Sequence, residues 1–203
     1  MNTLTAVVIA IPLLALSIAF HEMTHALVSD ALGDDTARLK GRITLNPFAH
    51  INLFSTVLLP LLLILAGLPP FGAAQPVPFN PSRLKFGEFG VALVAVAGPL
   101  SNLLLAIVMA FFLRSVPGVG LLHDILDLGL QLNVAFFVFN PIPFPPLDGS
   151  RVLYAFAPEP LQNLMEQIER LGFTAILLFM FLLFPMISPL FSRLTEASLQ
   201  FLG

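Results

Sequence analysis

Four long apolar runs constrain this chain more than any other feature. Residues 4–29, 88–113, 125–140 and 172–190 each carry at most one acidic residue and no basic one. Their lengths approach or exceed the hydrocarbon thickness of a bilayer when wound as helix. Lipid offers backbone N–H and C=O groups no partners, so such runs cross as helices whose hydrogen bonds close internally. The composition agrees: 57% of residues are hydrophobic, 10% are charged and the mean hydropathy is +0.93, where soluble domains carry about 25% charged residues. The expected fold is an all-α polytopic membrane protein, one membrane-embedded domain over 1–203. It has about four spanning helices plus a re-entrant or hairpin segment at 51–81.

The segments between the runs are polar or helix-breaking. "DALGDDTARLKGRITLNPFAH" (30–50) follows the first run, with Gly33 a natural helix stop. Residues 51–67 are apolar but short and contain Pro60, and "LPPFGAAQPVPFNPSRLK" (68–85) is too rich in Pro and Gly for a helix. Pro12 and Gly98-Pro99 lie inside spans, the latter a kink signal, and residues 151–170 are polar enough for the surface. No basic n-region precedes the first run, which leads straight into histidines, so it is expected to be retained. No cysteine is present, so any metal must be held by His, Asp or Glu. No basic cluster points to nucleic acid.

His21-Glu22-Met23-Thr24-His25 lies within the first run. On a helix, positions i and i+4 stand about 40° apart, so both imidazoles can reach one ion. Glu22 falls on the adjacent flank, where a carboxylate can take a proton from water held at the metal. This H-E-x-x-H pattern arises by chance in roughly 0.2% of chains of this composition. Two core histidines bonded to carbonyls are the competing reading, but that leaves a carboxylate in lipid unexplained.

A catalytic zinc site usually takes three protein ligands. Asp148, in "NPIPFPPLDGSR", follows an apolar helix directly, whereas most other acids sit in connectors with Lys or Arg nearby. An Asp-Gly turn is the alternative for Asp148. His50 is the rival third ligand, or a residue lining the entrance, and His123 beside Asp124 reads as solvated. Asn102, in "GPLSN", reads either as an interhelical hydrogen bonder or as a residue positioning ligand or substrate. Gly98 and Pro99 suit close packing against the histidine helix.

Taken together, "HEMTHALVSD", "VAGPLSNLLLA" and "FNPIPFPPLDGSRVL" resemble the site-2 protease family of intramembrane zinc metalloproteases. The likeness is to short bacterial members without a PDZ domain, over residues 20 to 155. The resemblance implies His21, His25 and Asp148 as ligands of one Zn2+ per chain, Glu22 as general base and Asn140 at the active site, steadying the scissile carbonyl or its oxyanion. The chain departs from better-known members in two ways: it has no apolar helix before the H-E-x-x-H helix, and it has the extra segment 51–67 after it.

Topology offers a separate test. If the histidines and Asp148 share an ion, the ends of 4–29 and 125–140 lie on one side, so one intervening segment does not cross. The short segment 51–67 is the natural choice. One side then carries Arg38, Lys40, Arg42, Arg83, Lys85, Arg151 and Arg170, the other Arg114 and Arg193. With every segment crossing, the split is nearly even, so the positive-inside rule favours the first arrangement. The protein is then expected in the cell (inner) membrane, multi-pass, with its site opening to the cytoplasm.

The expected function is hydrolysis of a peptide bond in or near the transmembrane segment of a membrane protein, with that protein and the lipid bilayer as partners. Such a substrate must unwind locally, and segment 71–83 offers a strand edge for it or is a plain surface loop. The rival is a metal or small-solute transporter using the His pair as a transit site. A homo-oligomer is compatible with the sequence, which sets no subunit count.

Overall fold

The computed structural model describes residues 3–50, Leu58 and 75–202. The described residues are helical and connecting, with no strand among them. Helix α1 spans Thr3–Ala31 and a single turn, α2, Thr36–Leu39. Helix α3 spans Glu88–Leu113, α4 Leu121–Phe139, α5 Asp148–Phe156 and α6 Glu159–Arg170. Phe173–Leu178 (α7) passes through a π-helical turn at Phe179–Leu183 into α8, Phe184–Leu202. Among the described residues, four helical stretches are long and apolar enough to cross a membrane: Thr5–Ala31, Glu88–Leu113, Leu121–Phe139 and Thr174–Leu202. The chain is therefore a multi-pass membrane protein by architecture.

Pro12 and Pro99 lie inside continuous helices. The last helical stretch runs to 202, twelve residues beyond the apolar run that ends at 190. Hydrophobicity marks where a span leaves lipid, not where its backbone hydrogen bonds stop. The π turn precedes Pro185, where the missing N–H and the ring would strain a regular turn, and the wider turn accommodates both.

Helix α3 is central and packs against α1, α4 and α5. Its small residues permit this: Ala106 and Ala110 meet Leu130 and Val134 of α4, with Leu199 and Leu202 of α8 closing the cluster. In lipid, where apolar burial gains little, such close backbone approach is what holds helices together.

The charge-based topology has a structural counterpart. Lys85 N–H donates to Leu32 O at 2.9 Å, and Arg83 pairs with Asp35 at 2.8 Å, so α3 begins beside the end of α1. Gln75 N–H donates to His50 O at 2.8 Å, so the flanks of 51–74 adjoin. The expected excursion at 51–67, Leu58 apart, lies outside the described residues. At the other end, Arg114 donates to Leu202 O at 2.9 Å.

Candidate metal centre

One turn of α1 separates His21 from His25, and their rings meet edge to face with centroids 4.6 Å apart. Their Nε2 atoms lie 2.9 Å from each other. Asp148, the first residue of α5, brings Oδ2 to 3.1 Å from His21 Nε2 and 3.4 Å from His25 Nε2. That oxygen is buried and accepts no well-directed hydrogen bond. Donors about 2.0–2.1 Å from one tetrahedral ion stand about 3.3 Å apart, so these three atoms form one face of such a site. Nitrogen donors combined with a carboxylate suit zinc. The residues fit the metal.

The backbone explains the convergence. His25 turns Nδ1 to the Val94 carbonyl of α3, at 2.6 Å, and His21 turns Nδ1 to Asn102 Oδ1 of the same helix, at 2.6 Å. Gly98 lies between these two anchors. A Cβ there would stand 2.3 Å from His25 Nε2 and 2.6 Å from His21 Cε1, so only glycine lets α3 approach the histidines. Asp148 is placed by its neighbour: Gly149 N–H donates to Asn140 O at 2.8 Å, and a Cβ on Gly149 would meet Pro141 O at 2.0 Å. The Asp-Gly pair thus starts a helix docked on its own loop, which aims the carboxylate at α1.

Glu22 lies beside the histidines, half-buried, and its Oε2 accepts the Val77 N–H at 3.2 Å. An apolar cavity of about 450 Å³ borders Asp148, with Ala95, Pro99, Phe137, Pro141 and Val152 in its wall.

The protein of Bacillus subtilis (strain 168) named "Putative zinc metalloprotease YwhC" is 38% identical to this chain over 173 residues, covering 81% of this chain and 76% of that one. The chain belongs to the family of YwhC. "Putative zinc metalloprotease Rip2" of Mycolicibacterium smegmatis is 26% identical over 168 residues, 79% of this chain and 62% of Rip2. Its namesake in Mycobacterium tuberculosis (strain H37Rv) is 32% identical over 148 residues, 68% of this chain and 52% of that protein. No family model and no solved structure matches the chain.

The remaining residues singled out in this YwhC relative fall outside the trio. His50 is buried, and its Nε2 lies 2.9 Å from Thr44 O. His123 is half-buried in the first turn of α4. Asn140 ends α4, and its side-chain N–H donates to Phe136 O at 3.0 Å. The N–H groups of Gln75 and Val77 turn inward to His50 O and Glu22, and prolines at 76 and 78 have no N–H, so these donors do not face a strand partner. Sequence reasoning missed Asn133 and Ser17, both buried beside Asn102. An amide inside the apolar run 125–140 was the available signal for Asn133; Ser17 offered none.

Proposed function

We propose that this chain is an intramembrane zinc endopeptidase of the site-2 protease type. It hydrolyses a peptide bond in or near the transmembrane segment of a membrane protein. The observation that carries this reading is the meeting of His21, His25 and Asp148 at one point, with Glu22 beside it, among apolar helices.

His21, His25 and Asp148 would hold one ion per chain. A bound zinc supplies Lewis acidity and acidifies water. Glu22 takes the proton as the water oxygen bonds to the scissile carbon, then returns it to the amine nitrogen as the C–N bond breaks. Its hydrogen bond from Val77 restrains the carboxylate. Asn140 serves the oxyanion by turning its amide N–H from Phe136 O to the substrate. The apolar cavity beside Asp148 shields the reacting peptide and suits the side chains of a membrane segment.

Seven of the nine basic residues fall on the connectors at the metal end or in α5 and α6, which supports a site opening to the cytoplasm of the inner membrane. A transporter reading leaves Glu22 without a role. The deciding experiment incubates the purified protein with a tagged transmembrane peptide. Cleavage should stop on chelation and return with added zinc; chelator-resistant cleavage, or metal flux into proteoliposomes without cleavage, would overturn the reading.

A further inference from the structure

The two histidines secure their outward ring nitrogens differently. His25 Nδ1 meets a backbone carbonyl, Val94 O, which can only accept, so that nitrogen carries the proton and Nε2 keeps a free lone pair. His21 Nδ1 instead meets a side-chain amide, Asn102, which presents oxygen one way round and nitrogen the other. Reversed, that amide would place the imidazole proton on Nε2, the atom facing Asp148 and His25. Something must forbid the reversal.

We propose that Ser17, Asn102 and Asn133 are positioning residues that set the tautomer of His21 through a one-way chain of hydrogen bonds anchored on a carbonyl of α4. The anchor is Gly129 O, which accepts from Asn133 Nδ2 at 2.8 Å. The second proton of that nitrogen goes to Ser17 Oγ at 3.0 Å. Asn133 Oδ1 therefore faces Asn102 and accepts from its Nδ2 at 2.9 Å, while Ser17 O lies 3.4 Å from the same nitrogen. Asn102 Oδ1 is thereby left facing His21, at 2.6 Å, and His21 Nδ1 must donate. Turning either amide around would set oxygen against oxygen.

All three residues are buried, with Asn102 and Asn133 fully inaccessible, so water cannot substitute for a lost link. The chain joins three helices: α1 supplies Ser17 and His21, α3 supplies Asn102, and α4 supplies Asn133. Helix α4 also leads into the loop that delivers Asp148, so one helix sets both the tautomer of one donor and the place of another. The inference rests on the trio's being a metal site and not on proteolysis.

The test uses full-length, zinc-loaded protein with 15N-labelled histidine, in micelles. Four histidines keep the spectrum simple. Wild type should show solvent-protected Nδ1–H signals from both His21 and His25. Asn102→Leu should lose the His21 signal and keep that of His25, with the zinc Kd, from chelator competition, rising about 10–100-fold. Asn133→Leu touches neither ring, yet it should weaken the His21 signal alone. Asn102→Asp keeps an oxygen toward Nδ1 and should retain the His21 signal, while its second oxygen, set against Asn133 Oδ1, should hold the affinity below that of wild type. If the two leucine variants retain the His21 signal and wild-type Kd, or lose both histidine signals together, the proposal is overturned.

Discussion

The Val77 N–H donates to Glu22 Oε2 across 3.2 Å, tying segment 75–80 to the carboxylate proposed as the base. Val77 is itself buried against Ala26 and Ala37, so the donor is fixed from behind. Two further links, Gln75 N–H to His50 O and Asn80 N–H to Asp34, hold the segment on either side.

Replacing Val77 with Pro removes this donor without touching a metal-binding atom. Cleavage should fall by about 10- to 100-fold, the ordinary scale for losing an orienting hydrogen bond at a reacting group, while zinc content stays at the wild-type level. Activity and metal content measured on one preparation decide it. Equal cleavage by the variant would remove any role for the Val77 contact.

Gly98→Ala would ordinarily strengthen a helix, by up to about 1 kcal/mol from propensity. Here the added methyl meets both imidazoles at less than van der Waals distance. The variant should therefore remain helical by circular dichroism and lose zinc affinity by at least about tenfold. Wild-type zinc binding would mean that α3 can withdraw from α1 at no cost.

Asp34 gives the fold an acid limit. Burial raises its pKa, but hydrogen bonds from the Thr36 hydroxyl, Asn80 N–H, Thr36 N–H and Ser29 more than offset this, and the net shift is downward. A depressed folded-state pKa contributes stability above the ordinary carboxylate value, about 3.9, and that stability is lost as pH falls through the folded value. Thermal unfolding in detergent from pH 6 to 3, values chosen to bracket about 3.9, should show wild type losing more stability than Asp34→Asn. Parallel curves would show that Asp34 does not hold the segment.

The legible part of this protein is whatever depends on neighbours in sequence. The spacing of His21 and His25 places both rings on one helix face, and the apolar runs locate α1, α3 and α4 to within a few residues. Asp148 stood out because it follows an apolar helix directly, and the structure brings its carboxylate to the histidines. Asn133 did not stand out, because its partners depend on how α4 is rotated against α3, which no local pattern records. The inward turn of the 75–80 donors was hidden for the same reason: a Pro-rich stretch reads as extended, but which acceptors its N–H groups meet is decided by α1 and its following loop. His50 reads from the sequence as a rival third ligand or an entrance residue, yet it is buried with Nε2 facing Thr44 O, an acceptor that the spacing does not reveal.

Asp148→Ala removes a proposed metal donor and should weaken zinc binding and cleavage together. This separates it from Val77→Pro, which should affect cleavage alone. Chelator competition and peptide cleavage on matched samples make the comparison. Undiminished zinc affinity in Asp148→Ala would exclude it as a ligand.

The most direct test of the central claim is the zinc content and peptide-cleaving activity of Glu22→Gln beside wild type. The amide keeps the shape of the side chain but cannot take a proton from water, so the variant should hold zinc as wild type does and lose cleavage by about 100-fold or more. Full cleavage by zinc-loaded Glu22→Gln would contradict the account.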